Sequence, residues 1–383
     1  MGHIERRDAV VVGGGQAGLS TAYELTRRGL EIAVLEAGPR VGDSWRHRWD
    51  SLRLFTPARY DTLPGLAFPA PSESYPGKDE MADYLETYAR VMALPVRTGV
   101  RVKSLARSGS TYLLETTAGT IETEHVVAAA GHERPYIPEF AASIDSAVTQ
   151  LHAGNYRNPD QLAGDVLVVG AGNSGVEIAI EAALAGHRTT LAGRSTGAVP
   201  PFVYAFGGRI FWFYAKRIAS VDTPIGRKMR PHVLKRGTPL IRLKLADATA
   251  AGVRRGPRVT RVEDGAPVLG DGQLLRPNTI VWCTGFRPDY SWIALPGALD
   301  AGSPRHRRGV AEGEPGLYFV GLPFQTRLAS AFVGGVASDA RFVAEAITSR
   351  RGLTRLPRLQ PTVEDGPSGT GTREASPASA LPR

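Results

Sequence analysis

Apolar and polar positions follow a succession along this chain that occurs twice. Asp8–Val12 rises into an apolar strand and a run of glycines follows. Residues 16–28 then carry apolar side chains at helical spacing (Ala17, Leu19, Ala22, Leu25), and Glu31–Leu35 is a second apolar strand. The same order returns at 165–193: strand Asp165–Val169, glycine turn, helix Ser174–Ala185, strand Arg188–Ala192. Two such units predict an internal duplication of a βαβ element. Between them, residues 79–92 (Met81, Tyr84, Leu85, Tyr88, Val91) predict an amphipathic helix. Residues 95–130 alternate in short runs broken by Gly and Ser, which predicts a β-meander ending in the apolar run Val126–Ala130. Further on, 278–286 reads as a short apolar strand ending at Thr284-Gly285, and 316–350 as a strand, a loop and a helix over about Ser338–Thr348. From about Gly352 the periodicity stops among Pro, Ser, Thr and Gly, so 353–383 is expected to be a disordered tail.

The two glycine turns give these units a chemistry. Gly13-Gly14-Gly15-Gln16-Ala17-Gly18 fits G-x-G-x-x-G between a strand and a helix, and an acid, Glu36, ends the next strand, followed by Ala37. In such a turn Gly13 permits the tight bend and Gly15 lets backbone N–H groups approach a pyrophosphate. Gly18 lets helix and strand pack closely, and Glu36 can accept both hydroxyls of an adenosine ribose. Gly170-Ala171-Gly172-Asn173-Ser174-Gly175 is the second copy. Its following strand ends not in an acid but in Ala192-Gly193-Arg194-Ser195. An arginine there would pair with a ribose 2′-phosphate, where a glutamate would repel it. The acid-ended unit therefore suits FAD and the arginine-ended unit suits NADPH. Two dinucleotides on one chain imply hydride transfer between them, with the cofactors supplying the redox chemistry.

Composition narrows the class. There is one cysteine, Cys283, so neither a disulfide framework nor a Cys-x-x-Cys redox pair can form within the chain. The net charge of +9 is local: Pro201–Thr260 holds thirteen Lys or Arg against two Asp or Glu, and the rest of the chain is close to balanced. A uniformly basic nucleic-acid binder is excluded by that distribution. The basic stretch follows an aromatic run (Phe202, Tyr204, Phe206, Phe211, Trp212, Phe213, Tyr214). Over 202–258 a substrate-channel lid, a membrane- or partner-facing surface and a water-facing helical excursion all stay open. The histidines show no ligand spacing, so no metal site is expected. No apolar run reaches the ~20 residues of a spanning helix, and no signal peptide is evident, so a cytoplasmic protein is expected. A homodimer is compatible with the sequence.

The stretch Gly42-Asp43-Ser44-Trp45-Arg46, continued by Trp49-Asp50-Ser51-Leu52-Arg53-Leu54-Phe55-Thr56-Pro57, is the most distinctive. With Tyr75-Pro76-Gly77-Lys78, Ala129-Ala130-Gly131, Thr284-Gly285-Phe286 and Gly321-Leu322-Pro323, it resembles the class B flavin-dependent monooxygenases, most nearly their bacterial and plant YUCCA-type members. The resemblance runs over about 8–350 in the family's order. Besides the two glycine turns, it implies cofactor contacts at Gly42, Ser44, Trp45, Arg53, Thr56, Val102, Ala130, Gly131, His152, Thr284, Gly285, Gly321 and Leu322. The family's F-x-G-x-x-x-H-x-x-x-[YW] stretch is half present: His152 and Tyr156 keep its second part, while Ser146 and Val148 stand where Phe and Gly would be.

The expected fold is α/β, with two Rossmann-like domains, the second inserted in the first. Residues 1–157 plus 284–352 would bind FAD and 158–283 would bind NADPH. The resemblance implies a monooxygenase in which NADPH reduces FAD. Reduced flavin meets O2 to form a C4a-hydroperoxide, and one oxygen passes to a small organic substrate. It names no catalytic side chain. The alternatives are an NADPH-dependent flavoprotein reductase without oxygenation and a non-catalytic NADPH sensor.

Overall fold

The computed structural model describes residues 4–131, 134–199, 207–236 and 238–350. The expected tail at 353–383 and the aromatic residues Phe202, Tyr204 and Phe206 lie outside the described residues.

The first unit opens with β1 (Glu5–Val12), α1 (Gln16–Thr26) and β2 (Ile32–Leu35). The amphipathic helix follows as α2 (Lys78–Val91), burying Met81, Tyr84, Leu85 and Tyr88 as its spacing predicts. The expected meander is β4 (Val102–Ser108), β5 (Thr111–Thr116) and β6 (Gly119–Ala128), antiparallel in that order, after the short β3 (Val96–Arg97). β6 returns beside β1 in parallel, with Val10 opposite Val126 and Val12 opposite Ala128. Its start pairs with both β5 and β1 and its apolar end continues beside β1, so β6 joins the meander to the first sheet.

The second unit is a separate five-stranded sheet, parallel throughout. Its strands are β7 (Thr149–His152), β8 (Val166–Val169), β9 (Thr189–Ala192), β10 (Arg254–Gly256) and β11 (Thr279–Trp282), and α3 (Asn173–Leu184) links β8 to β9. The spatial order is β10-β9-β8-β11-β7, the doubly wound arrangement of dinucleotide folds. β7 lies before residue 157 yet pairs with β11, so this sheet begins earlier than the division expected at 157/158.

After β11 the chain rejoins the first sheet. Phe286–Arg287 pairs with Arg134–Pro135, and β12 (Leu317–Phe319) lies parallel to β6. The last helix, α4 (Ala337–Arg350), packs on α1 and buries Ala340, Val343, Ala344 and Ile347. None of the described helices is long and apolar enough to cross a membrane.

Candidate functional site: two glycine turns facing one seam

Both turns divide their glycines by task. At Gly13 the backbone is left-handed (φ 112°), and a Cβ would stand 2.4 Å from Ala129 O. A Cβ on Gly18 would stand 1.8 Å from Gly13 O, so only glycine lets α1 approach β1. A Cβ on Gly15 would meet no protein atom within 4 Å. The space in front of Gly15 is thus kept open for something other than protein. The second turn repeats this: a Cβ on Gly170 (φ 115°) would stand 2.2 Å from Cys283 O, one on Gly175 would stand 1.7 Å from Gly170 O, and one on Gly172 would meet nothing within 4 Å.

The helices behind these turns are left uncapped. Neither α1 nor α3 has a side-chain N-cap bond or an acid in its first turn. α2, by contrast, has Asp79 and Glu80 in its first turn, and Glu80 accepts from Gly77 N at 2.7 Å. Free N–H groups at a helix N-terminus are a ready site for a phosphate anion.

The first turn opens on a cavity of about 520 Å³, lined by Gly13, Gly15, Gln16, Ala17, Glu36, Ala37, Gly42, Ser44, Trp45, Ala130, Gly131 and Gly321 among others. An adjoining space of about 340 Å³ brings in Val102, Asp289 and Trp292. Glu36 is fixed at the rim, accepting from Gly14 N and Gly38 N, each at 2.7 Å. These residues fit the pyrophosphate and adenosine half of FAD. Leu322 instead packs its side chain into the apolar cluster beside the first sheet, and its neighbour Gly321 lines the cavity.

A third space, about 260 Å³, lies in the seam between the two units. Gln16, Trp45, Arg53, Phe55 and Thr56 line it from one side and Asn173 and Ser174 from the other, with Phe332 and Val333 closing it. Asn173 also braces the chain beside it, donating to Pro239 O and accepting from Ile241 N, each at 3.2 Å. Phe55 and Phe332 belong to an aromatic cluster with Phe211 and Trp212, so part of the aromatic run packs at this wall, while Phe213 is 62% exposed. Under Thr56 lies Asp61, fully buried, with Oδ1 bonded to the Thr56 hydroxyl at 2.5 Å; burial pushes its carboxyl up to about 8.

Sequence reasoning missed several residues here. Arg48 lines both the large cavity and the seam, donates from Nε to Ser44 O at 3.1 Å and lies 4.7 Å over the Phe286 ring. Burial, reinforced by Arg157, lowers its pKa. Phe286 itself lines the large cavity. A second arginine after Trp45, two positions beyond Arg46, and a phenylalanine after Thr284-Gly285 were the only signals for this pair.

His152 makes no wall of these cavities but ties two linkers. A backbone N–H can only donate and a carbonyl can only accept. His152 Nδ1 therefore accepts from Gly154 N at 3.1 Å, and Nε2–H donates to Gly285 O at 3.0 Å. Burial lowers its pKa and keeps it neutral in that tautomer. Tyr156 donates to Glu181 on α3 at 2.8 Å. Thr284 donates from its hydroxyl to Tyr136 O. Ser146, where the family motif carries phenylalanine, is exposed in a turn closed by Asp145, which accepts from Ala147 N. Arg194 and Ser195 are exposed at the end of β9, where Ser195 accepts from Gly197 N. Cys283 packs against the core, and burial pushes its thiol up to about 12. Among the described residues no cluster of three or more metal-ligating side chains occurs.

Comparison with known proteins agrees with this geometry. A family model described as pyridine nucleotide-disulphide oxidoreductase matches residues 10–200. The chain is 38% identical over 344 residues to an uncharacterised CzcO-like oxidoreductase of Geobacillus kaustophilus, covering 89% of this chain and 98% of that one. It is 29% identical over 398 residues to the indole-3-pyruvate monooxygenase YUCCA1 of Oryza sativa, covering 90% and 93%. Among solved structures it superposes on a flavin-containing monooxygenase from Stenotrophomonas maltophilia with a TM-score of 0.75 at 29% identity, covering 91% and 100%. Fold and site define an oxidoreductase built on two dinucleotide-binding units. The chain belongs to the flavin-dependent monooxygenase family.

Proposed function

We propose that the protein is an NADPH-dependent monooxygenase that places one atom of O2 on a small organic substrate and releases the other as water. The observation that carries this reading is the seam cavity, in which residues of both glycine turns face one largely apolar space. Bound FAD supplies hydride acceptance from the nicotinamide and activation of O2. The side chains bind, orient and exclude water. Gly15 and Gly172 leave room for the two pyrophosphates, and Glu36 and Arg194 meet the two adenosine riboses. Trp45, Phe55 and Phe332 keep the space dry, which favours oxygen transfer over discharge as peroxide. Among relatives, the YUCCA proteins act on indole-3-pyruvate by name; here the apolar seam fits a small, partly aromatic compound.

A second reading, an NADPH-dependent flavoprotein reductase, draws on Ser146 and Val148 in place of the family's Phe and Gly. One experiment separates the two. The protein is supplied with NADPH and ¹⁸O2 across a panel of amines, sulfides, ketones and 2-oxo acids. The monooxygenase reading expects one ¹⁸O in a product and less than one peroxide per NADPH. Stoichiometric peroxide with no labelled product throughout overturns it in favour of the reductase.

A further inference from the structure

We propose that Arg255 is a second arginine of the 2′-phosphate site, acting beside Arg194 to select NADPH over NADH. This rests on reading the second glycine turn as the NADPH site. β9 and β10 are parallel neighbours, with Leu191 opposite Arg255 and Ala192 opposite Gly256. Both strands end at the edge of the sheet where a Rossmann unit holds the adenosine ribose. Gly193 N is bonded to Gly256 O at 3.2 Å, so the turn that carries Arg194 is clamped to the end of β10. From there Arg255 reaches back and donates from its guanidinium to Gly193 O at 3.2 Å. It is thereby anchored to the residue immediately before Arg194.

That bond uses one of the five donors of a guanidinium. The other arginines of this unit that make ion pairs are matched to carboxylates: Arg188 with Asp165, Arg242 with Glu177 at 2.7 Å and Arg261 with Glu263 at 2.7 Å. Arg194 and Arg255, like Arg254, Arg258 and Arg276, have no carboxylate within ion-pair distance among the described residues; what sets Arg255 apart is its bond to Gly193 O. Arg255 is exposed at this strand end, so its remaining donors face solvent. Two exposed guanidinium groups with spare donors, held at neighbouring strand ends, offer charge-assisted hydrogen bonds to an anion. A phosphate dianion has three acceptor oxygens and suits two guanidinium forks. Arg254 precedes Arg255 in β10, so its side chain leaves the opposite face of the sheet.

The test uses the full-length, FAD-loaded protein and calorimetric titration with 2′,5′-ADP and with 5′-AMP, which differ by the phosphate alone. The unmodified protein is expected to bind 2′,5′-ADP more tightly. Arg255→Ala should weaken 2′,5′-ADP about ten- to hundred-fold and change 5′-AMP by less than about twofold. Arg255→Lys should recover part of the loss, since a point charge lacks the fork. Arg254→Ala should change neither, which separates a specific contact from loss of general positive charge. If Arg194→Ala loses the preference and Arg255→Ala keeps it, Arg194 acts alone and the inference fails while the NADPH reading stands. If Arg255→Ala weakens both ligands equally, its role is to support the turn, and the inference again fails. An unmodified protein that does not distinguish the two ligands overturns the NADPH reading itself.

Discussion

The two glycine turns are nearly the same object, and they differ at the end of the next strand. Each has one left-handed glycine, one glycine facing open space and one at which an added Cβ would stand only 1.8 or 1.7 Å from an oxygen of its own turn. In the first unit the strand leads to Glu36, held by two backbone N–H bonds at the rim of a cavity of about 520 Å³. In the second it leads to Arg194, exposed on the surface. A rigid acid at a large cavity suits a cofactor that stays, and an exposed arginine suits one that comes and goes. On the proposed reading the duplicated backbone provides phosphate binding twice, and the residues at the end of the next strand differentiate the two uses.

The sharpest way to break this comparison is to add one methyl group at four places. Gly18→Ala and Gly175→Ala drive a Cβ into a backbone oxygen and should cost on the order of 4 kcal/mol or more, leaving little folded protein. Gly15→Ala and Gly172→Ala meet no protein atom and should cost about 1 kcal/mol or less. Gly15→Ala should nevertheless emerge colourless, because the methyl occupies the pyrophosphate position. Gly172→Ala should keep its flavin and fail to be reduced by NADPH. Melting temperature and flavin absorbance per chain check all four. A yellow Gly15→Ala protein would detach FAD from the first turn.

What could be read from the sequence divides along the same line. Both turns, their helices and the strands beside them are local and strongly patterned, so their identity and order were legible. The two edge strands of the second sheet were not. Thr149–His152 and Arg254–Gly256 pair on one side only and need no apolar alternation, so a hydrophobic pattern passes over them. That is why the sequence pattern places the division at 157/158 although the sheet starts at Thr149, and why it marks Arg194 but not Arg255. Arg48 and Phe286 are 238 positions apart and meet only after the chain has built the second unit and returned. No spacing rule reaches that far.

A carboxyl near the seam gives a pH test of comparable size. Asp61 is held up to about 8 by burial, against 3.8 for the ordinary group, so the folded state keeps a proton that the unfolded chain releases. Its contribution is therefore neutral below about pH 4, grows unfavourable as pH rises, and levels off above about pH 8. Asp61→Asn removes the penalty. Its gain in stability over the unmodified protein should rise from near zero at pH 4 to as much as ~5 kcal/mol at pH 8 and then flatten. Denaturant titrations at several pH values measure this. A gain that shrinks as pH rises would show that Asp61 is ionised in the folded protein.

Smaller again is the expected effect at the surface end of β9. Arg194→Ala should raise the Michaelis constant for NADPH by about ten- to hundred-fold, equivalent to ~1.5–3 kcal/mol, and leave that for NADH nearly unchanged. An equal loss with both would mean that Arg194 does not read the 2′-phosphate, and the contrast with Glu36 would lose its second half.

The smallest expected effect lies where the two units are tied together. Tyr156 is fully buried, and its hydroxyl donates to Glu181 on α3 at 2.8 Å, so it joins the linker that follows β7 to the helix behind the second turn. His152, four residues earlier, ties the same linker to the returning strand through Gly285 O. Tyr156→Phe keeps the ring and removes one hydrogen bond, with a net cost of about 1 kcal/mol. Flavin content should be unchanged, because no atom of the first turn is touched. If the linker holds the second unit in register with the seam, peroxide released per NADPH should rise modestly, since a looser seam admits water. Glu181→Gln should reproduce much of the change by weakening the acceptor on the other side. A melting point lowered without any change in peroxide yield would make Tyr156 a packing residue only. The alignment of the two units would then rest on His152 and on the seam itself.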